Sequence, residues 1–492
     1  MSKKKIFLLV PIIFTIIFSL FVINAIKDSE KNNIPDSVEK YIPKSLKKFL
    51  LENIFYKKSL ETEIVSLDDQ LRIKRSELKS SKLLITHLLH EMYELGLDNL
   101  EFNKDRDKEN VISKNGINYK LTTFKTDYLS GHNWNLGKAT AYLDEYEGKL
   151  LLVSKDGVFS FVELNEFNKD NVKTKIINTN IKKIIGYKEW WSERGGRGIK
   201  DTLIDGDELY ISYSNQAAEN CWNTAILVAK FDFNQLNFKK FFTPPTCLKY
   251  RKGYNRWSHN LGGGKIVKYD DENLLLSTGA YKTRLPAQDN ETVFGKIILI
   301  NKFTKDWSIV SKGHRNVQGL LYNNDKKLII STEHGPKGGD EININLLNEE
   351  ISKNFGWPIS SYGEHYGDKE KNFAETYKEA PLYKSHVDHG FIEPIKYFVP
   401  SIGITDVKKA TSKFSKEFEN DYFIGAMGSD LEEGDLSLHH IRLNDTNNKI
   451  IYQDIIPIKE RIRDIHYFEE INKFFLFIEN SAAIAILEKK DL

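Results

Sequence analysis

Six times from Gly148 onward the chain repeats one outline: a short apolar strand, then a second strand soon after. The pairs run from "GKLLLVSKDGVFSFVELN" at Gly148, through "ENLLLSTGA" with "GKIILINK" and "KKLIISTEHG" with "DEININ", to "NKFFLFIEN" with "AAIAILEK". First strands start roughly 50 to 65 residues apart, except for one step of about 94 that carries a long insertion. An all-strand repeat of this period predicts an all-β, six-bladed β-propeller. A sandwich or barrel would not repeat its strand pairs so evenly.

The expected organisation has three parts. Residues 1–27 read as a membrane anchor, because Lys3, Lys4 and Lys5 precede an apolar run from Ile6 to Ile26, about the length that spans a bilayer. The lysines should stay cytoplasmic and send the rest outward, giving a single-pass inner-membrane protein with a periplasmic main body. A cleaved signal peptide is the alternative, with "INA" as the cleavage site. Residues 28–115 form a linker and helical region. In it Ile64, Leu71, Leu78, Ile85 and Met92 recur every seven residues between 57 and 95, suggesting a self-associating coiled coil or an amphipathic helix. Residues 116–492 make the propeller. Cys221 and Cys247, 26 positions apart, can form a disulfide in an oxidising compartment.

A balance of 71 basic and 69 acidic residues carries no nucleic-acid footprint. Propellers bind ligands on loops at the channel mouth, so the Gly-rich polar corners "HRNVQG" (314–319) and "EHGPKGGDE" (333–341) draw notice. The insertion from Phe355 adds aromatic faces, Trp357, Tyr362 and Tyr366, that could stack on a sugar or a flat cofactor or simply pack over the channel.

The motifs "RWSHNLGGGKIV", "GHRNVQGL", "EHGPKGGDEININ", "NFGWP" and "RIRDI" resemble, in order and spacing, those of the soluble quinoprotein glucose/sorbosone and aldose sugar dehydrogenases. That family consists of six-bladed propellers using pyrroloquinoline quinone (PQQ) and calcium. The resemblance implies His259 as general base and Arg315 and Asn316 at the quinone carbonyls. It further implies Arg461 and Arg463 on the cofactor's carboxylates, with the Gly335 and Pro336 carbonyls as calcium ligands. Each role suits the residue type. Guanidinium forks pair bidentately with carboxylates, calcium takes carbonyl oxygens, and a neutral His can accept a hydroxyl proton. Two departures stand out. Gly264-Lys265-Ile266 replaces the family's Gly-Arg-Leu, a conservative change, and "GAMGSDLEEGD" (425–435), with Asp430 and Glu432, lacks a cofactor-binding lysine.

Two functions follow as expectations. The first is a membrane-anchored PQQ dehydrogenase that oxidises an aldose or related alcohol and passes electrons to a quinone or cytochrome. The alternative is a non-enzymatic propeller ectodomain that binds a carbohydrate or protein partner.

Overall fold

The computed structural model describes residues 44, 63–77, 100–105, 110–126, 140–185, 198–249, 261–347, 352–365, 378–411, 414, 421–429 and 434–490. His259, the 1–27 anchor, Tyr366, Asp430 and Glu432 lie outside them. The chain divides into two compact units, Met1–Leu84 and Ile85–Leu492. In the first, a helix covers 63–77 with Ile64, Leu67 and Leu71 exposed. Among the described residues no helix is long and apolar enough to cross a membrane.

The second unit is an all-β propeller whose strands, among the described residues, fall into six sheets of four to seven strands. Six sheets are led by an innermost strand each: β1 (Ala141–Tyr146), β2 (Ile199–Asp205), β3 (Gly263–Lys268), β4 (Val317–Asn323), β5 (Ile404–Lys409) and β6 (Ile462–Phe468). Each innermost strand contacts the next, and β6 returns to β1. Closure is also made by strand pairing: Asn118–Lys125 pairs antiparallel with Ala483–Lys489, joining early and late chain in one sheet. That sheet also takes in Glu101–Asp105 and Asn110–Ile112, ahead of residue 116.

Burial on both faces explains why the second strands read as unbroken apolar runs. Successive side chains on a strand point to opposite faces. Leu274 and Leu276 enter one core cluster, while Leu275, between them, enters another. Leu150 and Leu152 are divided from Leu151 and Val153 in the same way. Each such leucine contributes about 1.5–3 kcal/mol of burial. Cys221 and Cys247 form a disulfide, with Cα atoms 5.4 Å apart.

The innermost strands also share a buried ion cluster. The Lys265 ammonium lies 2.8 Å from Asp201, 3.0 Å from Asp464 and 3.2 Å from Asp406, so β3 is tied to β2, β6 and β5. The same carboxylates hold backbone: Ile266 N–H donates to Asp201 and Leu143 N–H to Asp464. The lysine that stands in Gly-Lys-Ile therefore anchors the centre of the ring.

Candidate active site

In an antiparallel blade the start of the first strand and the end of the second lie at the same edge. Arg315 and Asn316 precede β4 and the 334–339 corner follows Leu328–Glu333, so both corners come to one face. Arg461 precedes β6 and Glu479 follows Lys473–Ile478, which brings them to that face too.

A cavity of about 250 Å3 opens there, lined by Arg461, Arg463, Gln318, His334, Lys155, Lys200, Thr140, Tyr142 and Met427, among others. The two arginines share one buried carboxylate. Arg461 Nε donates to Glu479 at 3.0 Å and Arg463 Nε at 2.6 Å, and Thr140 adds a third donor at 3.2 Å. Despite burial, these cations hold the Glu479 carboxyl down at about 2. The carboxylate that the two arginines share thus comes from just past the next strand. Arg463 also donates to Gln318 Oε1 at 3.2 Å, and Gln318 donates to Asn316 Oδ1 at 3.2 Å. Asn316 is buried and its Oδ1 accepts a second bond from Gly263 N–H. Gln318 therefore presents its amide to the cavity, while Asn316 positions it.

Arg315 is fixed by its own corner. Its Nη1 donates to the His334 carbonyl at 2.8 Å, and its guanidinium lies 5.4 Å from the Trp357 ring centre. With Pro336, Trp357, Lys282, Arg284 and His365 it lines a second cavity of about 90 Å3, which shares Leu261 with the first. Trp357 thus faces a cavity, whereas Tyr362 stacks on Tyr397 at 3.6 Å and serves packing.

His334 Nε2 lies 2.6 Å from the Ile404 carbonyl. A carbonyl can only accept, so Nε2 carries the hydrogen and Nδ1 is the acceptor. Burial lowers its pKa, which keeps the ring neutral. His314 supports the corner from behind, with Nε2 2.8 Å from Ser311 and Nδ1 3.3 Å from Glu333.

The Gly335–Pro336 corner needs its glycine, since a Cβ at Gly335 would come within 2.1 Å of the Gly339 carbonyl oxygen. Asp340 accepts from Gly335 N–H at 3.0 Å and from Ile404 N–H at 2.9 Å, and so clamps the turn. Among the described residues, no hydrogen-bond donor reaches the Gly335 or Pro336 carbonyl oxygen, and these remain available to a hard cation. No group of three or more His, Cys, Asp or Glu among the described residues could hold a metal.

Sequence reasoning brought Arg461, Arg463 and the two corners to one face and left out Gln318, Glu479, Lys155 and Lys200. Gln318 had a signal, two residues past Asn316 in the same motif. The lysines had none, because "VSKDG" and "GIKDT" belong to no pattern that marks a ligand.

A profile of the Glucose / Sorbosone dehydrogenase family matches residues 138–485. The chain belongs to that family. The chain is 27% identical over 249 residues to an uncharacterized protein of Synechocystis sp., covering 46% of this chain and 55% of that one. It is 26% identical over 260 residues to the aldose sugar dehydrogenase YliI of Escherichia coli, covering 49% and 65%. The aligned stretches thus span less than two thirds of either relative's length. The propeller superposes on the soluble aldose sugar dehydrogenase of Escherichia coli in its apo-form with a TM-score of 0.57 at 20% identity, covering 75% of this chain and all of that one. The holo PQQ domain of pyranose dehydrogenase from Coprinopsis cinerea follows at 0.50 and 10% identity, covering 79% and 97%. These likenesses establish the shared fold of the family member.

Proposed function

We propose that this chain is a PQQ-dependent dehydrogenase that oxidises an aldose or related alcohol at CH–OH. One observation carries the reading: a single cavity gathers Arg461, Arg463 and Gln318 beside the Arg315 and Gly335–Pro336 corners, on a propeller of the glucose/sorbosone dehydrogenase family. The ring of six innermost strands supports six blades. PQQ, when bound, supplies the hydride-accepting quinone. The residues fit it: paired guanidiniums suit its carboxylates, and two carbonyls that accept no hydrogen bond from the described residues suit its calcium.

The protein's own part is binding, charge placement and proton removal. Arg461 and Arg463 hold carboxylates, Arg315 supplies fixed positive charge where the acceptor becomes negative, and His259 takes the hydroxyl proton from the substrate. Replacing His259 with Gln, with PQQ and calcium saturating, should leave PQQ bound and lower turnover on an aldose panel by roughly 10²–10⁴-fold. Wild-type turnover in that variant sinks the base assignment. A wild-type protein that binds PQQ yet reduces no artificial dye with any aldose sinks the enzyme.

The apolar run after Lys3, Lys4 and Lys5, together with the disulfide, supports an anchored propeller on the outer side of the inner membrane, with a quinone or cytochrome taking the electrons. Protease added to intact spheroplasts should then degrade the propeller while a cytoplasmic control survives. Protection of both overturns this orientation.

A further inference from the structure

On the dehydrogenase reading, the substrate meets the acceptor in the smaller cavity, because Arg315 lines it. One wall of that cavity is the loop 279–295, which joins the paired strands Asn273–Thr278 and Lys296–Asn301 and contributes Lys282 and Arg284.

The head of this loop is strained. Tyr281 and Lys282, adjacent and neither of them glycine, both take left-handed backbone, at φ +50° and +67°. Side chains disfavour that region, and residues stay in it only where their surroundings hold them. Here Tyr281 N–H donates to the Leu261 carbonyl and Ala280 N–H to the Arg315 carbonyl, each at 2.9 Å. The loop is therefore joined directly to the Arg315 corner.

The rest of the loop is held by two lysines. Lys296 and Lys312 stand directly opposite each other on neighbouring antiparallel strands. Like charges in that position repel, and Lys296 is fully buried. Both side chains nonetheless reach the same loop. Lys296 Nζ donates to the carbonyls of Pro286 at 2.8 Å, Ala287 at 3.0 Å and Phe294 at 2.8 Å. An ammonium has three donors, so the loop backbone takes all of them. Lys312 Nζ donates to Asn290 Oδ1 at 2.8 Å and lies 3.4 Å from the Gln288 carbonyl. Gln288 in turn donates to the Trp357 carbonyl at 2.7 Å and accepts from Asn354 Nδ2 at 2.7 Å. The arc that the lysines hold is thus tied to Trp357, which lines the same cavity.

Burial pushes the Lys296 ammonium down to about 7, with Asp289 acting against the shift and Lys312 adding to it. An apolar side chain would fill this site without that cost. What the ammonium gives is one fixed point on which three carbonyls of the loop converge. Lys265, by contrast, sits among aspartates and ties strands together.

We propose that Lys296 and Lys312 are positioning residues for the substrate: they fix the 282–290 arc as a wall of the smaller cavity, and so set how the aldose is held beside Arg315. The proposal rests on the dehydrogenase reading above and adds to it the residues that shape the substrate side.

The test compares wild type with Lys296→Met, Lys312→Met and Lys312→Arg in three measurements. Hydrogen exchange of the 282–290 amides is read on ligand-free protein. PQQ affinity is read by quinone absorbance with calcium present, and KM and kcat for an aldose by dye reduction with PQQ and calcium saturating. Lys296→Met should exchange faster in this arc and lose on the order of 10²-fold in kcat/KM, as for a small misplacement of a bound substrate. Most of that loss should fall on KM, with PQQ affinity unchanged. Lys312→Met should show the same pattern more weakly, and Lys312→Arg should restore it. Melting of the ligand-free variants checks the fold, and the half-buried Lys312 carries the test if Lys296→Met fails to fold. Unchanged exchange in both methionine variants overturns the proposal. So does faster exchange with an unchanged KM, which would make the lysines a brace of the loop alone. Weakened PQQ binding also overturns it, since the arc would then serve the cofactor. In each of these cases a wild type that oxidises the aldose leaves the dehydrogenase reading standing. A wild type that binds PQQ and oxidises no aldose overturns that reading, and the substrate role falls with it, whatever the exchange shows.

Discussion

The channel mouth and the ion cluster at the ring's centre are built from buried charge on neighbouring residues of the same strands, with opposite outcomes. Lys200 is followed by Asp201 and Arg463 by Asp464. Because consecutive strand residues face opposite ways, the cations go to the cavity and the carboxylates to Lys265. At the centre, one ammonium meets three carboxylates, and Lys408 adds a second cation 3.4 Å from Asp406. At the mouth, Arg461 and Arg463 share the carboxylate of Glu479 beside the cavity. The centre is closed upon itself and holds strands together. The mouth opens onto a cavity. A buried charge therefore says little about function until its partners are counted.

The largest expected effect breaks the centre. Lys265→Met keeps the volume and removes the ammonium, leaving Asp201, Asp406 and Asp464 facing one another. Breaking a buried ion group in this way costs about 3–5 kcal/mol. Asp201, already pushed up to about 7 by burial and its neighbours, should then stay protonated at neutral pH. Denaturant unfolding should show the loss at pH 7, with some recovery near pH 5 as the carboxylates are neutralised. A loss below about 1 kcal/mol would mean that the centre does not clamp the ring.

The same contrast marks what could be read from the sequence. The strand pairs announced the propeller, because burial on both faces leaves runs such as "NLLLST" with few alternatives. The two arginines of "RIRDI", the corner glycines and the disulfide were also legible, since spacing or turn chemistry constrains each one locally. Their partners were not. Glu479 lies 16 to 18 residues beyond the arginines, just past another strand, and Lys155 and Lys200 reach the cavity only because separate sheets converge. The position of Lys265 is a similar case. As a replacement in Gly-Lys-Ile it looked conservative, yet its three partners come from β2, β5 and β6. Long-range charge pairing has no period in the sequence, so it was invisible there.

A smaller effect, at the mouth, sharpens the comparison. The Glu479 carboxyl sits at about 2 in the fold, against an ordinary 4.5, because Arg463 and Arg461 outweigh its burial. A depressed carboxyl pKa contributes stability above the unfolded value, and that stability is lost as pH falls from 4.5 towards 2. At 1.36 kcal/mol per unit the contribution is about 3 kcal/mol. Glu479→Gln should therefore be less stable than wild type by about that much at pH 7, and the gap should shrink steadily below pH 4.5. Denaturant midpoints at pH 7, 4 and 2.5 read this directly. The variant should also hold PQQ at least as tightly as wild type, because both arginines keep their charge and lose their competitor. A stability gap that stays constant with pH would show that Glu479 acts through packing. Weaker PQQ binding would show that it orients the arginines more than it competes for them, and the mouth would then resemble the centre: a structural ion group that happens to border a cavity.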